Sequence, residues 1–187
     1  MRRGFKTEAE RLAERQRAQL GLQPVDPLKI FDLAENLGVR VYSASDLVDR
    51  SALEELERLQ PGAFSAATFN MPDGDTVAVY NPLSEPGRTN SDIAHELAHI
   101  LLGHRLRDLQ KIGGNTFFAC DPEQEEEANW LAGCLLLPRP LLLREAYAKA
   151  TPEAIAHKYH VSISMARFRL NASGVMMQAR RSPQRRP

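Results

Sequence analysis

Cysteine, tryptophan and net charge are scarce in this 187-residue chain: two Cys, one Trp, and 24 Lys plus Arg balanced by 24 Asp plus Glu. Two cysteines, Cys120 and Cys134, are too few for a disulfide framework, and Cys134 lies in an apolar run where a buried free thiol is common. The even charge balance excludes a global electrostatic grip on nucleic acid or an anionic membrane, so any basic surface must be local. Long apolar stretches are also missing. The run from Trp130 to Leu137 falls well short of the roughly 20 residues that span a bilayer. The first residues, Met-Arg-Arg-Gly-Phe-Lys, are basic but lead into no apolar core, so no secretory signal and a cytoplasmic location are expected. What is present is the composition of a globular protein, 43% apolar and 26% charged, read as one domain with appendages.

Thr7 followed by Glu10 has capping-box spacing and is expected to open a polar helix running toward Gly21. Asp26-Pro27 is expected to open a second helix, with Ile30, Phe31, Ala34 and Leu37 on one face and Gly38 as its stop. Val39 to Tyr42 reads as a short strand and residues 45–59 as helical. Ala63 to Asn70 and Thr76 to Asn81 read as two strands joined by Met-Pro-Asp-Gly-Asp, which carries hairpin turn chemistry. Thr89, Asn90 and Ser91 are candidate caps for a helix that carries Ile93, Leu97, Ile100 and Leu101 and ends at Gly103. After a loop at Gly113-Gly114-Asn115, another helix runs from about Glu123 to Leu137 and is closed by Pro138. Helices with a small antiparallel sheet make the expected class α+β.

The chemistry concentrates in His95-Glu96-Leu97-Ala98-His99. A helix stacks residues i and i+4, so both imidazoles can share one metal ion, and Glu96 points to an adjacent direction where it can exchange a proton with water. Apolar neighbours on nearly every side predict a buried helix, and burying two imidazoles and a carboxylate is costly unless a metal compensates. A catalytic zinc needs a third protein ligand and an open position. Leu102 and Arg105 stand where the metzincin pattern needs Gly and His, which excludes that class. His104 reads as solvent-exposed or as a support to a ligand. Glu125 is the leading third ligand and Glu127 its rival; the acidic stretch 123–127 also fits an ordinary first helical turn. Asn129, one turn beyond Glu125, is placed to orient a ligating histidine. Such a 2-His-1-carboxylate set takes Zn²⁺ by default and Mn²⁺ or Fe²⁺ as alternatives.

His95-Glu-Leu-Ala-His-Ile-Leu-Leu102, followed by Glu125-x-Glu-Ala-Asn129-x-x-Ala-x-x-Leu-Leu-x-Pro138, resembles the ImmA/IrrE family of bacterial metallopeptidases. Further matches are Ala34-Glu-Asn-Leu-Gly-Val39, Val77-Ala-Val-Tyr-Asn81, Tyr159-His-Val-Ser162 and Arg169-Leu170, so the likeness covers nearly the whole chain. Ala98, Leu131 and Leu137 depart from the residues common in the family, as changes of packing. The resemblance implies a zincin-like zinc endopeptidase that cuts a helix-turn-helix repressor in a stress response or in mobile-element control. It also implies His95, His99 and Glu125 as ligands and Glu96 as catalytic acid/base.

Residues 1–145 are expected to form the peptidase domain, 146–176 a helix-turn-helix-like pair and 177–187 a disordered basic tail. The pair is a candidate DNA reader; the favoured reading is packing or partner docking, with Phe168 and Leu170 inward and the arginines solvated. Tyr80, Tyr147, His157 and Tyr159 are candidates for substrate or oxyanion contacts. The Ala63 to Asn70 strand is the candidate sheet edge for an extended protein substrate.

Overall fold

The computed structural model describes residues 1–104, 109–112, 115–118 and 121–181. Helix α1 (Phe5–Gln19) starts two residues before the expected Thr7 cap. Gly4, in the left-handed region at φ 86°, turns the chain into it, and Phe5, Ala9, Ala13 and Arg17 bury one stripe at four-residue spacing. Tertiary packing of Phe5 overrides the local cap signal. Helix α2 (Ile30–Asn36) begins after Asp26-Pro27, because Asp26 is engaged in a turn of its own. Its carboxylate accepts the Gln23 N–H (2.7 Å) and its carbonyl accepts a hydrogen bond from Arg17 Nη2.

Strand β1 (Val39–Ser43) is followed by a 3-10 turn at Ala44–Asp46, capped by Ser43, and by α3 (Arg50–Leu59), so the expected helical stretch 45–59 is broken in two. Strands β2 (Ala66–Asn70) and β3 (Thr76–Tyr80) form the expected hairpin, with Ala66 opposite Tyr80 and Asn70 opposite Thr76. The sheet itself is mixed, not antiparallel. Its order is β1-β3-β2, and β1 runs parallel to β3 with Val39 opposite Thr76 and Ser43 opposite Tyr80. The crossover through α3 reverses the chain before β2, which leaves β2 at an edge. Alternation across β3 puts Ala78 in the main core and Val77 and Val79 in a small second core with Ala44 and Leu53.

Helix α4 (Pro86–Leu102) starts earlier than Thr89, with Pro86 at its first turn where no N–H is needed, and ends at Gly103 in the left-handed region. Strands β4 (Leu109–Ile112) and β5 (Asn115–Phe118) form a hairpin that the sequence reading missed: Asn115 opens β5, where Thr-Phe-Phe favours strand. Gly113, Gly114 and Cys120 lie outside the described residues. Helix α5 (Pro122–Leu136) is capped by Asp121, whose side chain accepts the Glu123 N–H at 2.9 Å. Helices α6 (Arg139–Tyr147), α7 (Pro152–Tyr159), α8 (Ile163–Ala172) and α9 (Val175–Arg181) follow. Residues 177–181 of the expected tail are therefore helical, anchored by buried Val175 and by Arg139 donating to Gln178 at 2.6 Å. Residues 182–187 lie outside the described residues.

One hydrophobic core takes in Phe5, Ile93, Leu131 and Leu142 together with Ile155, Leu170 and Val175, on both sides of residues 145–146. The α7–α8 pair is locked onto α4. Asn90 Nδ2 donates to the His160 carbonyl and the Ser162 N–H to Ser91 Oγ, both at 2.9 Å. Arg169, expected in solvent, is fully buried. Its Nε and Nη2 donate to the Leu137 carbonyl and Nη2 also to Glu10 Oε1 at 2.8 Å. Arg167 is solvated and pairs with Glu153 at 3.4 Å; Leu170 is inward, whereas Phe168 stays 36% exposed. Buried Cys134 carries a free thiol whose pKa is raised by desolvation.

Two expected outcomes follow from this packing. A Cβ on Gly133 would lie 2.4 Å from Arg169 Cδ, and the pinned guanidinium prevents that chain from moving aside. Gly133→Ala should lower the unfolding free energy by about 1–3 kcal/mol in a denaturant titration, despite the better helix propensity of Ala. Glu145 is buried and bound by Lys158 (2.8 Å) and Tyr159 (2.5 Å). Burial alone pushes its pKa up, but these hydrogen bonds and Arg144 outweigh it and hold the carboxyl below its ordinary 4.5. The lowered folded-state value makes this stabilisation full above about pH 4.5 and lost as pH falls through the folded value. Glu145→Gln should cost about 1–2 kcal/mol at pH 7 and show a shallower decline of stability in acid, read by thermal denaturation across pH.

Candidate metal centre

Helix α4 packs along α5, and both helices carry small, fully buried residues: Ala94 and Ala98 on one, Ala128 and Ala132 on the other. Close approach of the two axes lets short side chains meet between them. His95 and His99 lie one turn apart on α4, with Nε2 atoms 3.0 Å from each other. From α5, Glu125 Oε2 lies 3.1 Å from His95 Nε2, and Oε1 lies 3.5 Å from His99 Nε2. One donor atom from each of the three residues lies within 4.8 Å of the others.

This donor set fits a divalent cation. The Nδ1–H of His95 donates to Asn129 Oδ1 at 3.1 Å, which leaves Nε2 as the lone-pair atom facing His99 and Glu125. Two imidazole nitrogens 3.0 Å apart, with a carboxylate closing the third side, form the N/O environment that zinc, manganese or ferrous iron accepts. Glu127 does not join the cluster. It is buried against the Arg2 N–H (3.2 Å) and lies 3.7 Å from His104 Nε2. His104 is nearly buried behind His99, with Nδ1 atoms 3.0 Å apart, so it is neither solvated nor placed among the three clustered donors. Desolvation lowers its pKa, against the opposing pull of Glu127.

Glu96 is only 4% exposed and turns from the histidine face toward the sheet edge, where Thr68 Oγ1 on β2 donates to Glu96 Oε2 at 2.8 Å. Sequence reasoning missed Thr68. The contact spans 28 residues, and no local pattern sets Thr68 apart in a strand that also carries the polar Asn70. A cleft of about 620 Å³ opens beside the cluster and is lined by His95, Glu96, Glu125 and Asn129. Tyr80, Tyr147, His157 and Tyr159 are not among its lining residues. Tyr80 packs edge-on against Phe31, His157 is exposed on α7, and the Tyr159 hydroxyl is engaged by Glu145 and Arg144. Thr68→Val should remove the Glu96 donor at constant shape and lower stability by about 1–3 kcal/mol, while Thr68→Ser retains most of it; chemical denaturation of the pair checks this.

The sequence profile of the IrrE N-terminal-like domain, a metallopeptidase family, matches residues 34–171. The match takes in every element from α2 to α8 except the first four residues of α2 and the last residue of α8. No curated protein and no solved structure matches the chain. Among the described residues, no helix is long and apolar enough to cross a membrane. With its match spanning well over half of its length, the chain belongs to the IrrE N-terminal-like family of metallopeptidases.

Proposed function

We propose that the protein is a zinc-dependent endopeptidase that cleaves a helix-turn-helix transcriptional repressor and so relieves repression under stress or in mobile-element control. The carrying observation is the convergence of His95, His99 and Glu125, with Glu96 beside them at the sheet edge. The family membership supports peptide-bond chemistry, and the repressor is the substrate implied by the resemblance to the ImmA/IrrE peptidases. His95, His99 and Glu125 would hold a divalent cation, which would supply Lewis acidity for activating water and polarising a peptide carbonyl.

The protein's own groups do the rest. Glu96 takes a proton from water as the peptide carbonyl is attacked and returns it to the leaving amine. Thr68 donates to one carboxylate oxygen of Glu96 and so restrains the orientation of the group. Asn129 fixes the ring and tautomer of His95. Strand β2 lies at the edge of its sheet beside α4, and an extended substrate segment pairs there through main-chain hydrogen bonds.

The competing reading, a DNA-binding or scaffold protein with a structural metal, has less support. Structural zinc sites have four protein ligands, usually with cysteine, whereas the described cluster holds three and no cysteine. Arg169 of α8 is buried instead of being presented to phosphate.

The test is incubation of the metal-loaded protein with the helix-turn-helix protein encoded beside it, followed by mass spectrometry of the products. Wild type should cut; a chelator should abolish cutting, and zinc should restore it better than manganese. Glu96→Gln should bind metal normally yet lose at least about a hundredfold in rate. Glu125→Ala should weaken metal binding by more than the roughly 10–100-fold expected for Asn129→Ala. Equal cleavage by Glu96→Gln would refute its role.

A further inference from the structure

The cleft has two chemically different ends. One is the cluster of His95, Glu96 and Glu125; the other is a wall formed by Trp130 of α5 and Met165 and Phe168 of α8. Met165 and Phe168 are three residues apart on α8 and so share a face. Phe168 meets Trp130 edge-on, with ring centroids 5.7 Å apart and planes at 89°. Lys6 Nζ sits 4.1 Å from the centre of the indole ring, which helps to hold it. Arg169, the residue after Phe168, is pinned to the Leu137 carbonyl and Glu10, so the wall is rigid. A large aromatic ring is nevertheless left 36% exposed within reach of a polar site.

We infer that this wall is the side-chain subsite of the peptidase and takes a large apolar residue, leucine or phenylalanine in type, next to the bond that is cut. The inference rests on the peptidase reading above. The occupant follows from the lining: the apolar surface is presented chiefly by Phe168, backed by the buried Trp130 and Met165, while of the nearby charges Arg88 pairs with Asp92 at 2.9 Å, Glu126 with the Met1 amine at 2.9 Å, and Lys6 lies over the indole face. A volume of about 620 Å³ lies within the range of roughly 300–1,000 Å³ typical of ligand sites and admits such a side chain together with its main chain. The wall is continuous with Glu125 and Asn129 on α5, so a side chain seated there places its own backbone beside the cluster.

The test uses the full chain loaded with zinc and four probes: the hydroxamates of N-acetyl glycine, leucine, phenylalanine and lysine. Trp130 is the only tryptophan, so its emission reports binding without any need for turnover. The leucine and phenylalanine probes should bind about 10–100-fold more tightly than the glycine probe. Phe168→Ala should shrink that ratio to below about 5-fold, and Phe168→Leu should keep most of it; thermal midpoint and zinc stoichiometry verify the fold of both variants. Equal affinity for all four probes, tightest binding of the lysine probe, or an unchanged ratio in Phe168→Ala overturns the subsite. A chain that binds no zinc overturns the peptidase reading and the subsite with it, whereas zinc binding without discrimination overturns the subsite alone.

Discussion

The close packing of α4 on α5 is the constraint on which the site depends. A histidine side chain reaches only a few ångströms from its helix, and Glu125 can meet His95 and His99 only if the two helices touch along alanine-rich faces. Ala94, Ala98, Ala128 and Ala132 are all fully buried, as are Leu97 and Leu131 on the same two helices. Interaxial distance depends on the side chains in the contact, and small ones permit the shortest separations. The residues that depart from the common family pattern, Ala98, Leu131 and Leu137, are all apolar and fully buried, so they change packing and leave the donor atoms untouched.

That helix pair is held from outside by polar contacts as much as by apolar ones. Arg169 bridges α8 to the Leu137 carbonyl just past the end of α5 and to Glu10 on α1. Removing one partner of such a buried, hydrogen-bonded charge leaves the other uncompensated, which typically costs several kcal/mol. Ser91 makes a parallel link, accepting the N–H of the α8 cap residue Ser162 while donating to the Gly87 carbonyl within α4. A Cβ at Gly87 would stand 2.5 Å from the Val161 carbonyl oxygen, so the α7–α8 turn rests directly on the α4 backbone. The C-terminal helices thus fix the position of the two helices that carry the cluster.

Much of this was legible from local pattern. The i, i+4 histidines, the glycine that ends α4, and the acidic opening and proline stop of α5 are short-range features, and they placed His95, Glu96, His99, Glu125 and Asn129 on the correct two helices. The hairpin of β2 and β3 was readable from its turn residues. Long-range pairings were not. Nothing near Val39 reveals that β1 pairs in parallel with a strand 37 residues later, and nothing near Arg169 reveals a carbonyl 32 residues earlier that takes it out of solvent. Start points also moved where burial outweighed a cap: Phe5 draws α1 back from Thr7, and the Asp26 turn delays α2.

The burial of Arg169 and the exposure of Phe168 bear on what α8 is for. A helix that reads DNA presents its polar and basic residues outward and its apolar ones inward. On α8 the order is reversed at two adjacent positions: the guanidinium points into the core and the phenyl ring lies at the cleft. Exposing the ring forgoes part of the roughly 1.5–3 kcal/mol that full burial of such a side chain would contribute, so an apolar group that covers it gains that part. Because Trp130 shares that face and follows directly on Asn129, the partner that best restores the lost burial is one whose backbone lies beside the His95–Glu125 cluster. On α8, therefore, Met165 and Phe168 line the cleft while Arg169 is tied into the core.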